Sequence, residues 1–404
     1  MNAGPPHPAL PPPGDDGPRT AVGRGLSGTT GAQARDYNQR IILQSIRSAG
    51  SLSRPEVAGI TGLTGPAVAY ICRRLVRDGL LLERDPPVAV RGRPGRILSI
   101  NPTGAMAIGA DMEEGRLTLT LMELGGRMPK RLTRLIPRAI PTAWAEAILD
   151  GIRDLAPGAG DRGPIGLGLA YAPDPGHALA AAVARQLAGQ LPYPVHAQTV
   201  AIAAALGDLH FGPGLHEPSF FQILIGRTLS GGLVLQGRPF PGTGGHGNDI
   251  NLLIPHGGPS AAMGMGNTVS LAGLHRHLAA HGRVIDGEEA LTTLADRGDS
   301  VVMDWVDICA RLLEGPIVTI TCLVNPPAIH LSGRLPPSLL DLLARALERR
   351  LAGGNKLPGR VRIVVAPHAM SAGAATLPFL HRLLPKDDVL QKTAGRRPRA
   401  IGQA

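Results

Sequence analysis

At 404 residues the chain exceeds one ordinary domain, and 43% apolar residues suffice for a sizeable core. The formal net charge is +10, and no apolar run approaches the roughly 20 residues of a membrane-spanning helix. Three scattered cysteines, Cys72, Cys309 and Cys322, form no ligand cluster and point to a reduced, cytoplasmic compartment.

Arginine carries the charge, since lysine occurs only at 130, 356, 386 and 392. A GC-rich genome produces the same usage, so the position of the charge says more than its sum. Between Gly31 and Ile100 eleven arginines face five acidic residues, a local excess of six. A basic balance on so short a stretch is the electrostatic footprint of a nucleic-acid binder.

Residues 1–34 are rich in Pro, Gly, Thr and Asp, with almost no large apolar side chain and no apolar stretch of secretory-signal type. Such a segment cannot bury enough surface to offset the entropy of ordering, so a disordered tail is expected. A first helix is expected over Arg35–Ala49, with Ile42, Leu43 and Ile46 as its apolar stripe and Gly50 as its stop. Ser53-Arg54-Pro55-Glu56 fits a capping box and opens a second helix that runs to about Thr61. Gly62 makes the turn, and Thr64 is expected to cap a third helix with Pro66 in its first turn. Val68, Ile71, Cys72, Leu75 and Val76 form one buried face; Pro66, Ala69, Tyr70, Arg73 and Arg77 lie opposite. Two strands, Leu80–Glu83 and Arg96–Ile100, flank a loop that ends in Arg91-Gly92-Arg93-Pro94-Gly95. Three short helices followed by two strands and a basic loop make a winged helix-turn-helix over residues 35–102.

Beyond Asn101-Pro102-Thr103-Gly104, strands and helices mix in two successive blocks through residues 103–385, an α/β pattern of two lobes. A hairpin is expected at Ala107–Asp111 and Arg116–Glu123, and further strands at Ile165–Ala170, Phe220–Ile225, Ala328–Leu331 and Val361–Ala366. Long helices are expected at Val301–Leu323, Pro337–Leu351 and Ala374–Leu384. Residues 386–404 form a basic tail.

The third helix is the candidate major-groove reader: Thr64, Pro66, Ala67, Ala69 and Tyr70 near base edges, and Arg73, Arg74 and Arg77 near phosphates. Ser53 and Arg54 at the start of the second helix join the candidate DNA contacts. Arg91 and Arg93 of the wing suit a narrow minor groove, the alternative being a solvated linker loop. Gly226-Arg227-Thr228-Leu229-Ser230-Gly231-Gly232 lies between two strands and reads first as a hairpin turn, second as a phosphate cradle. In the glycine-rich stretch Gly242–Ile250, Asn248 and Asp249 are the candidate polyol ligands; a simple surface loop is the equal alternative. His246 and His256 have no cysteine or carboxylate spacing that would make a metal site.

From Asn38 to about Leu384 the chain resembles the ROK family of repressors and sugar kinases. The winged-helix part carries the resemblance at Ser53–Ala58, Thr61–Thr64, Leu75–Leu80, Gly92–Pro94 and Leu98–Pro102. The C-terminal part carries it at Gly166-Leu167-Gly168-Leu169-Ala170, Gly231–Val234 with Gly237, Val324–Pro327 and Ala372-Gly373-Ala374-Ala375. The resemblance implies an actin-like, hexokinase-like ATPase fold behind the winged helix. It also shows departures. The first phosphate loop reads Asp111-Met112-Glu113-Glu114-Gly115, which sets carboxylates where phosphate would sit. The catalytic base falls on Val200, within Gln198-Thr199-Val200-Ala201, and an isopropyl group takes no proton from a sugar hydroxyl. The sugar- and zinc-linked motif becomes Asn248-Asp249-Ile250-Asn251-Leu252, and the cysteine zinc motif becomes Met263 to Ser270 without a thiolate.

The expectation is therefore a DNA-binding regulator of ROK type, a repressor, with no catalytic residues, no metal and no cofactor. Its partners would be double-stranded DNA with a pseudo-palindromic operator and, in the cleft, a sugar-like effector. A homodimer or homotetramer would present the readers. A pure oligomerisation scaffold without ligand and an ATP-dependent sugar kinase are the alternatives.

Overall fold

The computed structural model describes residues 31–85, 96–113, 115–136, 140–155, 163–172, 176–242, 249–253, 264–285, 287–353 and 361–385. The chain folds first into α1 (Gly31–Ala49), β1 (Ser51–Ser53), α2 (Arg54–Thr61), α3 (Gly65–Arg77), β2 (Leu81–Arg84) and β3 (Ile97–Ile100). Helix α1 begins at Gly31, four residues ahead of the expected start, so the helix reaches into the stretch read as a tail. The α1 stripe Ile42, Leu43 and Ile46 is fully buried. Ser53 and Glu56 form the capping box of α2, and Gly62 ends that helix in the left-handed region with φ 72. Thr64 stands at the N-cap of α3 with extended backbone, but its side chain makes no capping hydrogen bond. The three strands pair antiparallel in the order β1-β3-β2, so the wing sheet has one strand more than the sequence showed.

The rest is one pattern made twice. The first half runs β4 (Met106–Glu113), β5 (Arg116–Glu123), β6 (Lys130–Leu135), α4 (Pro141–Leu155), β7 (Leu167–Tyr171), α5 (Gly176–Ala188), β8 (Val195–Thr199) and α6 (Val200–Phe211). The second runs β9 (Phe220–Ile225), β10 (Leu229–Leu235), β11 (Arg238–Pro239), α7 (Leu271–Ala280), α8 (Glu288–Asp296), α9 (Ser300–Val324), β12 (Ala328–Gly333), α10 (Pro337–Gly353), β13 (Arg362–Val365) and α11 (Ala369–Arg382). The sheets have the orders β6-β5-β4-β7-β8 and β11-β10-β9-β12-β13, each an antiparallel meander extended by two parallel strands. The parallel steps from β7 to β8 and from β12 to β13 are made by the crossover helices α5 and α10.

Central strands buried on both faces read as near-continuous apolar runs, as in Ala107–Ala110 and in Phe220–Ile225, where the buried Gln222 is the one polar side chain. Ile108, Leu119, Trp144 and Ile148 fill the core of the first lobe. Ile223, Trp305, Leu331 and Leu339 fill that of the second. Each such side chain contributes roughly 1.5–3 kcal/mol when fully buried.

The helices that close the two halves cross between the lobes. Helix α11 returns to cover β4 and β7 of the first sheet, and α6 lies against β10 of the second. Glycines set the distance. A Cβ on Gly168 of β7 would lie 1.8 Å from the Ala374 carbonyl oxygen, and one on Gly109 of β4 would lie 2.4 Å from the Ala375 nitrogen. Gly207 and Gly373 make the α6–α11 crossing equally close.

Candidate nucleic-acid interface and interlobe cleft

On α3, Val68, Ile71, Cys72 and Leu75 face inward, as their spacing required. Outward stand Thr64, Pro66, Tyr70, Arg73, Arg74 and Arg77, all exposed, with Ala67 and Ala69 half-buried beside them. Tyr70 is 57% exposed, an unusual position for an aromatic ring with nothing to cover it. Arg74 and Arg77 lie 3.5 and 3.4 Å from Asp78, which tethers them at the helix end. Such exposed pairs are weak, so a phosphate competes easily with Asp78.

Two of the expected contacts have internal work. The Ser53 hydroxyl and amide engage Glu56. Arg54 donates to Glu83 at 2.5 Å, a half-buried strut from α2 to β2. That arginine, together with the Ser53 amide and hydroxyl for Glu56, holds both carboxyls below the usual range. Arg91 and Arg93 lie outside the described residues; Arg96, at the foot of the wing, lies 3.8 Å from Glu83 and 3.4 Å from Asp85.

The reader is docked on the body through α1 and α11. Their side chains share one core, with Ile42, Ile46 and Leu98 against Phe379, Leu383 and Leu384. Arg40 donates to the carbonyl oxygens of Leu380, His381 and Leu384, which caps the C-terminal end of α11 with a cation. Arg47 lies 4.2 Å over the Phe211 ring, its terminal nitrogens buried and without a hydrogen-bond partner among the described residues. Burial lowers its pKa to about 9, and burial beside this cation lowers that of His210 to about 3.

In the cleft the chain supplies its own counter-ions. Arg334, just after β12 in the second lobe, places Nη2 2.6 Å from Asp111 Oδ2 and Nε 2.7 Å from Glu113 Oε2, both on β4 of the first lobe. Its Nη1 lies 3.4 Å from the Thr118 hydroxyl of β5. The stretch Gly226–Gly232 is a hairpin, as expected, but its turn is only Gly226–Thr228, since Leu229–Gly232 belong to β10; the Arg227 amide donates to Glu113 Oε1 at 2.9 Å. Val200 opens α6 and packs among Ala170, Ala203, Ala374, Leu224 and Met370. Asp249 is exposed and accepts the Asn251 amide at 3.1 Å, capping a short 3-10 turn at Ile250–Leu252. Asn248, Glu114, His246, His256 and Met263 lie outside the described residues.

The sequence offered no route to three of these groups. Arg334 and Asp111 are separated by 223 positions, and Arg40 and Leu380 by 340. Asp208 of α6 and His330 of β12 meet at 2.6 Å, fully buried, with Phe220 stacked on the imidazole. Neither side chain lies in a motif; only the pairing makes them visible. No group of three or more metal-ligating side chains occurs among the described residues, and no helix there is long and apolar enough to cross a membrane.

Comparison with known proteins follows the same division. The profile of winged helix-turn-helix DNA-binding domains matches residues 35–81, and that of the ROK family matches residues 162–377. An uncharacterised protein, y4fQ of Sinorhizobium fredii (strain NBRC 101917 / NGR234), is 26% identical over 367 residues, covering 85% of this chain and 90% of its own. Among solved structures, a ROK family transcriptional regulator described as a homologue of the E. coli MLC protein superimposes with a TM-score of 0.66 at 20% identity, over 90% of this chain and 100% of that one. A ROK family glucokinase from Streptomyces griseus, in complex with glucose and AMPPNP, superimposes with a TM-score of 0.53 at 22% identity, over 68% of this chain and 99% of that one.

Proposed function

This chain belongs to the ROK family and carries a winged helix-turn-helix ahead of the family domain, and from that premise we propose that it is a transcriptional regulator, acting as a repressor. The observation that carries this reading is the outer face of α3. There an uncovered Tyr70 stands among Thr64, Pro66, Ala67 and Ala69, with Arg73, Arg74 and Arg77 exposed on the same helix. Arginines at phosphates supply affinity, and Tyr70 with its neighbours selects bases. Arg91 and Arg93 add a minor-groove grip. A homodimer or homotetramer presents two readers to the half-sites of a pseudo-palindrome.

The kinase-like body works in this reading as a sensor or oligomerisation module without catalysis. Two features support that: Val200 has no proton-accepting atom, and the cleft corner where phosphate would need positive charge holds Asp111 and Glu113. Asn248 and Asp249 remain the proposed ligands for a sugar-like effector. A thermal-shift screen against sugars tests that part, because a ligand of the native state alone must raise the melting point.

The DNA reading is tested by site selection on random duplex DNA followed by gel shift of two variants. Arg73→Ala should weaken every duplex similarly and lower the slope of log affinity against log salt by about one. Tyr70→Ala should change the preference between selected sites. If the wild-type protein enriches no sequence, the regulator reading fails; if Tyr70→Ala only weakens all DNA equally, Tyr70 is a backbone contact.

A further inference from the structure

The corner where Arg334, the Arg227 amide and Thr118 converge has the chemistry of an anion site. A guanidinium and a backbone N–H aimed at one point are what a phosphate group requires. Every partner there is held by the fold. The Arg334 amide donates to the Ile225 carbonyl at 2.9 Å, which fixes the root of the side chain. Gly333 before it sits at φ 140, where a Cβ would lie 2.0 Å from that same carbonyl oxygen, so the approach is open to glycine alone. The Arg334 side chain is 9% exposed, and those of Asp111 and Glu113 are 9% and 16% exposed. The site is therefore built rather than superficial, and it is already full.

We propose that Asp111 and Glu113 are an internal substitute for a phosphorylated ligand: they occupy an anion site made by Arg334 and the Arg227 amide, and by doing so clamp the two lobes together. Glu113 spans the gap: its Oε2 forms an ion pair with Arg334 by proximity, without hydrogen-bond geometry at Nε, and its Oε1 accepts the Arg227 amide, groups that both belong to the second lobe. Asp111 takes the other edge of the guanidinium. Two carboxylates on one guanidinium leave an excess negative charge in the corner, offset in part by Arg131 nearby. An incoming phosphate would meet that repulsion and would have to displace both carboxylates at once. The two lobes are thus bridged without a ligand, and the phosphate groups of a nucleotide are repelled by charge. The proposal stands on the body alone and does not depend on whether α3 reads DNA.

A gain of binding tests it. The double variant Asp111→Asn with Glu113→Gln keeps the shape of both side chains, removes their charge and leaves Arg334 without a carboxylate. Isothermal titration with inorganic pyrophosphate should show no binding to wild type at millimolar concentration and at least tenfold tighter binding to the double variant. Adding Arg334→Ala to that variant should abolish the gain. Glu113→Gln alone serves if the double variant does not fold, with the Arg227 amide expected to exchange its hydrogen faster once its acceptor is weakened. Pyrophosphate binding equally to wild type and variant overturns the proposal. So does a folded variant that gains no binding, or one whose gain survives Arg334→Ala.

Discussion

Asp111 is where one residue sets a pH dependence. Burial raises its pKa from 3.8 to about 6; Arg334 and Arg131 pull the other way, and Glu113 adds to the rise. The folded chain therefore holds a proton at pH values where the unfolded chain has released it. Stability then falls as pH rises between about 4 and 6, by an amount on the order of 3 kcal/mol for a shift of this size. Denaturant titration of wild type against Asp111→Asn, at steps from pH 4 to 7, should show that slope in wild type and its loss in the variant. A variant with the wild-type slope would assign the proton elsewhere. The candidate DNA contacts on α3 were legible because a 3.6-residue period sorts exposed from buried side chains without any knowledge of the fold. Arg54 was not, because its partner Glu83 lies on a strand 29 positions later.

At the scale of elements, α11 meets the first sheet and α6 at backbone distance. The stretches Gly166–Ala170 and Ala372–Ala375 were notable in the sequence only through a family resemblance; in the fold they are the two sides of one contact. Gly168→Ala would place a methyl group 1.8 Å from a backbone oxygen that cannot step aside, and Gly373→Ala would bring one to 2.6 Å from the Ala203 carbonyl carbon. Each should cost roughly 1–3 kcal/mol or more in urea denaturation. Gly59→Ala in α2, where the added Cβ meets nothing within 4 Å, should instead stabilise by up to about 1 kcal/mol. Equal effects at the three sites would refute the close-contact account. Strands β1 and β6 escaped the sequence reading for reasons of their own. The first has three residues, too few for an alternation to show. The second, Lys130–Leu135, is an edge strand with three basic residues, Lys130 and Arg131 exposed and Arg134 half-buried, and reads as loop.

For the whole molecule, the consequence is a reader joined to its body by a shared apolar core and by Arg40. Arg40 binds three carbonyls at the end of α11, and α11 lies along the first sheet and crosses α6 at the lobe boundary. The same helix therefore touches the cleft walls and the reader. Arg40→Ala removes charge-assisted hydrogen bonds between the domains without touching either core, so calorimetry should show the reader melting ahead of the body in the variant. A single transition at the wild-type temperature would mean that the shared apolar core alone holds the joint.

What the sequence determined by itself was the reader. Its helices and turns lie within some seventy residues, and periodicity and capping suffice to read them, whereas β1 and the Arg54–Glu83 strut, whose partners lie farther along the chain, do not show in it. Only the tertiary structure decided which charges remain for a ligand. Arg334 and Arg40 carry no signal in the chain; they become a latch and a joint because the fold brings the end of β12 in one sheet against β4 in the other, and α1 against the end of α11. Coulomb attraction between such groups depends on distance in space and burial, neither of which a linear order of residues expresses.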